Sequence, residues 1–144
     1  MVIRDILQLK SGEIFSIAPD QPVVDGIALM AERGIGSVVI LSHDKMVGLV
    51  TRRDLLRALH EKGCDLSSLK ISEIMVTDPI IGSPEDTVDY VRGVMTDNHI
   101  SHLPVMENDE LLGIISFHDV AKACLSEANF ENRLLKRYIK HWPE

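Results

Sequence analysis

Hydrophobic positions along this chain switch between a period of two and a period near 3.6, and the switching happens twice in the same order. A short apolar run at residues 13–17 reads as a strand. Val23, Ile27, Met30 and Ala31 then fall at i, i+4, i+7 and i+8, the stripe of an amphipathic helix. Asp20 can cap that helix, Pro22 suits its first turn because a missing N–H costs nothing there, and Gly34 is a natural stop. Residues 37–41 and 46–50 are mostly β-branched or aliphatic and flank Ser42-His43-Asp44-Lys45, which predicts an antiparallel hairpin. A second helix follows over residues 52–60, ended by Gly63. The plan returns as a strand near 79–82, a helix over 87–98 and a hairpin 103–106/111–115 around Glu107-Asn108-Asp109-Glu110. A helix over 117–125 completes it, and Pro104 falls at the opening of its strand, where a lost ladder bond is tolerated.

The two passages repeat in identity as well as in pattern. Residues 19–54 overlay 84–119 without a gap at an offset of 65. Pro19/Pro84, Val23/Val88, Met30/Met95, Ile35/Ile100, Asp44/Asp109, Gly48/Gly113 and Asp54/Asp119 are identical pairs. Chance would give roughly two identities over about 37 columns. A period this long does not suit a solenoid, and two copies are too few for an array. The expectation is one α/β domain of two βαββα half-units related by an approximate two-fold axis. Ile3-Arg4-Asp5-Ile6-Leu7 is echoed by Ile71-Ser72-Glu73-Ile74-Met75 ahead of the second half, at an offset of 68. The chain divides on this reading into a first unit with its lead-in (1–68), a second unit (69–126) and a C-terminal helix (127–144), with 63–70 as linker.

Composition narrows the class without naming a function. Hydrophobic residues are 45% and aromatics only 4%, so Val, Ile, Leu and Met must fill the core. The formal charge of −7 repels polyanions and argues against nucleic acid as a partner. No apolar run reaches the roughly 18 residues a bilayer span needs, and the N-terminus lacks a signal-peptide pattern, so no membrane partner is expected. Cys64 and Cys124 stand far apart, consistent with a reduced, cytoplasmic setting.

The repeat is most regular where the third strand of each half meets its last helix. Gly48-Leu49-Val50-Thr51-Arg52-Arg53-Asp54 and Gly113-Ile114-Ile115-Ser116-Phe117-His118-Asp119 both read G-h-h-[ST]-x-x-D. The first amides of such a helix lack internal partners and favour an anion. The Thr or Ser hydroxyl can donate or accept, and the carboxylate three residues on can accept from adjacent hydroxyls such as a ribose diol. The same spacing is close to a capping box, which helices use with no ligand at all. Both readings stay open on spacing alone; duplication in register favours binding.

Within this βαββα plan, the paired G-h-h-[ST]-x-x-D turns and Ile100-Ser101-His102-Leu103-Pro104-Val105 resemble the cystathionine β-synthase (CBS) domain, here as a tandem pair over nearly the whole chain. The resemblance implies two clefts that bind adenosine compounds such as AMP, ADP, ATP, NAD or S-adenosylmethionine, and a flat homodimer built through helices. It assigns Asp54 and Asp119 to the ribose and Thr51 and Ser116 to the phosphate side. Ser16, Ile17, Gly36, Ser37, Val38, Ile80, Ile81, Ser101, His102, Leu103 and Pro104 would line the adenine pockets. Arg52, Arg53, Phe117 and His118 complete the turns. Ser101 stands where relatives often carry a phosphate-reaching arginine. The first site, with Arg52 and Arg53, is therefore expected to favour the more highly charged phosphate. The implied work is sensing by an AMP-, ATP- or NAD-binding regulatory module acting on a protein partner yet to be identified, with AMP the first choice. The alternative is a structural adaptor that dimerises and docks a partner with its turns as plain caps.

Other signals are weaker. His99-x-x-His102 with His118 invites a metal, but no Cys or second spaced pair completes a tetrahedral set. Neither cysteine has a nearby base and no Walker or G-x-S-x-G segment occurs, so neither catalytic residues nor a catalytic cofactor is expected. The tail carries Phe130, Leu134, Leu135, Tyr138 and Ile139 as an apolar stripe beside Arg133, Lys136, Arg137 and Lys140. That pattern reads as a terminal helix packed on its own domain or a dimer mate, or as a docking helix for an acidic partner.

Overall fold

The computed structural model describes residues 1–10 and 12–138. In chain order the elements are α1 (Ile3–Leu9), β1 (Ser16–Ile17), α2 (Val23–Arg33), β2 (Ser37–Ser42), β3 (Lys45–Thr51) and α3 (Arg52–Glu61). A 3-10 turn (Ile71–Glu73), α4 (Val88–Asp97), β4 (His102–Glu107), β5 (Glu110–Ser116) and α5 (Phe117–Tyr138) follow. Both hairpins close with two-residue turns whose central residues all have positive φ, His43 and Asp44 in one, Asn108 and Asp109 in the other. Short polar Asn and Asp tolerate that conformation, and its twist matches the flanking strands. Register repeats as well: Ile40 pairs with Gly48 and Val105 with Gly113, and each ladder shifts immediately afterwards. The α/β fold of two half-units is the one the pattern predicts.

One expected strand is missing. In the first half β1 runs parallel to β2, with the Val39 N–H donating to the Phe15 carbonyl at 3.0 Å. The position equivalent to Val39 is Pro104, the third residue of β4, which has no N–H to donate. The strand expected at 79–82 therefore shrinks to one bridge, with the Gly82 N–H on the Pro104 carbonyl and the Met106 N–H on the Gly82 carbonyl, both at 2.9 Å. Other boundaries move for equally local reasons. Pro22 itself occupies the N-cap of α2, so Asp20 lies too early to cap it. Nothing between Phe117 and Tyr138 breaks a helix, so the expected break near residue 126 is absent and α5 is continuous.

Each half has its own core, but the lead-in segments are exchanged. Ile3 and Ile6 bury among Val88, Val91, Met95, Leu103, Val105 and Ile115 of the second half. Leu66, Leu69 and Ile71 bury among Val23, Val38, Ile40 and Val50 of the first, so residues 63–70 are not a free linker. Equivalent hydrogen bonds dock the two lead-ins. The Ile3 N–H donates to the Asp86 carbonyl and the Val88 N–H to the Met1 carbonyl, at 2.9 and 3.1 Å. The Ile71 N–H donates to the Gln21 carbonyl and the Val23 N–H to the Leu69 carbonyl, at 2.8 and 2.9 Å. The two halves then meet through β3 and β5.

Beyond its first two turns α5 leaves the core. Val120 and Ala123 are buried, whereas Phe130, Leu134 and Leu135 are exposed, so this stretch does not pack on its own domain. Ile139, Lys140 and Trp142 lie outside the described residues.

Truncating a lead-in anchor should damage the other half's core. Ile3→Ala and Ile71→Ala, both fully buried, are expected to lower unfolding free energy in urea by about 2–4 kcal/mol. Leu9→Ala, on the same helix as Ile3 but 83% exposed, should cost less than about 0.5 kcal/mol.

Candidate functional site

Two clefts open at the ends of β3 and β5, and each is built from both halves. The larger, about 540 Å³, is lined by Ser116, His118 and Asp119 of the second half, and by Ile14, Phe15 and the segment from Gly34 to Ser37 of the first. The smaller, about 270 Å³, is lined by Thr51, Arg53 and Asp54 of the first half, and by Pro79, Ile80 and the segment from His99 to His102 of the second. Adding 65 to the first-half residues of one list, or subtracting it from the second-half ones, gives the other. The repeat thus produces two equivalent sites that interlock the halves.

The structure sorts the sequence-predicted residues. Arg52, Gly36, Ser37, Phe117, His118, Ser116 and Asp119 line the larger cleft; Thr51, Arg53, Asp54 and Ile80 line the smaller; Ser101 and His102 line both. Ile17, Val38, Leu103 and Pro104 are buried instead, the last three within runs of consecutive buried strand residues, 37–40 and 103–105. Ser16 and Ile81 border neither cleft. The separation of Arg52 from Arg53 corrects the expected charge balance: as successive helix residues they point apart, Arg52 into the Asp119 cleft and Arg53 into the Asp54 cleft. Sequence reasoning missed Lys10, Glu13, Phe15, Arg57 and Asp78. The offset of 65 pairs Phe15 with Ile80 and could have found it, whereas Lys10 comes from the irregular lead-in.

Both turns form the caps that their spacing allows. Asp54 Oδ2 accepts the Thr51 N–H at 2.8 Å and the Thr51 hydroxyl at 3.1 Å. Asp119 Oδ2 accepts the Ser116 N–H at 2.9 Å, while the Asp119 N–H donates to Ser116 Oγ at 3.1 Å. The first amides of the helices are also engaged, Arg52 N–H on the Gly36 carbonyl at 3.3 Å and Phe117 N–H on the Ser101 carbonyl at 2.8 Å. Binding of an anion at these helix ends therefore falls mostly to side chains. Capping uses Oδ2; no hydrogen bond engages Oδ1 of either aspartate among the described residues. Asp54 is only 7% exposed, and Asp119 is more accessible.

Each carboxylate faces one cation, held loosely in the smaller cleft, where Arg57 Nη1 lies 3.8 Å from Asp54 Oδ1, and tightly in the larger. Lys10 Nζ lies 2.7 Å from Asp119 Oδ2 and 2.8 Å from the Ile114 carbonyl. Burial pushes the Asp119 carboxyl up, but the Lys10 hydrogen bond and the Ser116 donors outweigh it and hold it below the usual range. His102 sits where the clefts adjoin, its Nδ1 2.9 Å from Ser101 Oγ. A Cβ on Gly36 would lie 2.6 Å from the His102 ring, so glycine is what lets the imidazole pack there. Burial, then Arg52 and Lys10, lower the His102 pKa, with Asp119 opposing. The ring is therefore neutral at pH 7.

A protein-family model, CBS domain, matches residues 3–61 and 71–126. The chain is 29% identical over 147 residues to the mitochondrial CBS domain-containing protein CBSX3 of Arabidopsis thaliana, covering 96% of this chain and 71% of that one. It is 37% identical over 120 residues to inosine-5′-monophosphate dehydrogenase of Korarchaeum cryptofilum, covering 83% of this chain but 22% of the enzyme. A solved CBS-domain containing protein of Agrobacterium tumefaciens superposes at a TM-score of 0.81 with 29% identity, covering 85% of this chain and 98% of that one. A CBS domain pair solved in complex with 5′-methylthioadenosine and S-adenosyl-L-methionine shares the fold at a TM-score of 0.76 and 23% identity, over 88% and 98% of the chains.

The lowered His102 pKa sets a pH signature. Between the folded value and the ordinary histidine value of 6.5 the unfolded chain holds more protons, so stability falls as pH drops through that window. Urea unfolding at pH 7.5 and 5.5 should show a smaller acid penalty in His102→Asn than in the parent.

Proposed function

Because the chain belongs to the CBS-domain family, we propose that it is a non-catalytic regulatory module whose clefts bind an adenosine nucleotide and so change its shape or its affinity for a partner protein. AMP is the first candidate, with ATP and NAD next. The observation that carries this reading is the pair of equivalent clefts, each holding a capping aspartate whose second oxygen makes no hydrogen bond among the described residues, Asp119 Oδ1 free of any ion pair and Asp54 Oδ1 with only Arg57 Nη1 at 3.8 Å. At about 540 Å³ the larger cleft falls in the roughly 300–1,000 Å³ range of small-molecule sites, and the smaller falls below it. The larger cleft is therefore assigned as the principal site, with the ribose diol on Asp119, the phosphate toward Lys10, Arg52 and His118, and the base against Phe15, Ile35 and Ile114. Homodimerisation belongs to the same proposal.

A second reading, the adaptor, draws support from the exposed Phe130, Leu134 and Leu135 on the projecting end of α5. It needs no ligand in either cleft. Calorimetric titration with AMP, ATP, NAD and S-adenosylmethionine separates the two. The sensor reading expects selective binding that Asp119→Ala weakens about tenfold or more, since a desolvated hydrogen bond to a charged group is worth about 1.5–3 kcal/mol. Heat from none of these compounds would leave the adaptor.

A further inference from the structure

We propose that Lys10 makes the larger cleft select adenosine compounds that carry a phosphate over the neutral nucleoside, by holding Asp119 until an anion draws it away. The inference rests on the nucleotide-binding reading and goes beyond it by naming the residue that sets ligand charge. Net charge does not separate the clefts. Lys10 and Arg52 face Glu13 and Asp119 in one, and Arg53 and Arg57 face Asp54 and Asp78 in the other. What separates them is how each cation is held.

In the smaller cleft the edge of β3 is closed by backbone, with the Leu49 N–H on the Val76 carbonyl at 3.0 Å and the Val76 N–H on the Leu49 carbonyl at 2.9 Å. The carbonyl equivalent to Leu49 is that of Ile114, and there the Lys10 ammonium takes the place of the backbone donor. Its equivalent at the offset of 68 is Asp78, so no lysine takes that place in the smaller cleft, where the cation on the aspartate is Arg57, at 3.8 Å from Asp54 Oδ1 and therefore held more loosely. Lys10 immediately follows α1, and its side chain is 38% exposed. It can therefore swing without disturbing either core.

Asp119 Oδ2 already accepts two donors, Ser116 N–H and Lys10 Nζ, which fills its lone pairs. A ribose diol that engages both carboxylate oxygens must displace Lys10. Neutral adenosine would then cost the Lys10–Asp119 charge-assisted bond and offer the ammonium no charged acceptor in return. A phosphate beside Arg52 gives Lys10 a new charged acceptor, and charge-assisted bonds are about twice as strong as neutral ones.

Calorimetric titration of adenosine and AMP into the parent, Lys10→Met, Lys10→Arg and Asp119→Ala proteins tests this. The parent should bind AMP at least about tenfold more tightly than adenosine. Lys10→Met should weaken AMP about tenfold while adenosine binds as well as before or better, bringing the ratio near one. Lys10→Arg should restore the preference. An unchanged AMP-to-adenosine ratio in Lys10→Met, with Asp119→Ala still weakening both ligands, overturns the role of Lys10 and leaves the nucleotide reading standing. A parent that binds neither compound overturns both.

Discussion

The exchange of lead-in segments is the constraint on which the rest of this molecule depends. Neither half completes its core alone: the second needs Ile3 and Ile6 from the chain's beginning, and the first needs Leu66, Leu69 and Ile71 from the segment after α3. Fully buried aliphatic side chains contribute roughly 1.5–3 kcal/mol each, so these anchors supply a large fraction of a small protein's net stability. They also fix where the halves sit. With α1 docked on the second half and β1 in the first, Lys10 and residues 12–15 line the larger cleft between them. The site is a by-product of the seam.

That origin explains what the sequence made legible and what it concealed. The hairpin turns, the Gly34 stop and both G-h-h-[ST]-x-x-D junctions depend on contacts within a few residues, and the repeat displays each of them twice. Pro104 was visible too, yet its effect was not, because the bond it deletes joins it to a strand more than twenty residues away. The pairing of clefts with halves was hidden for the same reason: Arg52 and Arg53 are neighbours in sequence and part company only once β3 meets β5. Lys10 belongs to the one stretch where the offset changes from 65 to 68, so nothing in the repeat marks it. Local chemistry could be read directly; chemistry across the seam could not.

Asp54 and Asp119 both act as helix caps, and capping does not use the whole carboxylate. Oδ2 accepts the Thr51 or Ser116 N–H, while Oδ1 makes no hydrogen bond among the described residues. Capping is worth about 1 kcal/mol at such positions and pre-sets the rotamer, so a ligand meets an acceptor whose side-chain entropy is already spent. The first amide of each helix is also engaged, Arg52 N–H by the Gly36 carbonyl and Phe117 N–H by the Ser101 carbonyl. The two clefts differ in what meets the edge strand beside them, backbone at Leu49 and the Lys10 ammonium at Ile114.

A ligand alters a protein's shape only to the extent that it prefers one arrangement over another. In the larger cleft the competing arrangement is explicit: a lead-in lysine closed onto the carboxylate that a sugar would claim. That lysine immediately follows α1, whose Ile3 and Ile6 anchor the second half's core. His102, shared by both clefts and packed on Gly36, stands at the same seam. Residues that follow each lead-in, Lys10 after α1 and Asp78 after the 3-10 turn, line the two clefts, so the exchange of lead-ins sets each cleft beside a segment that anchors a core.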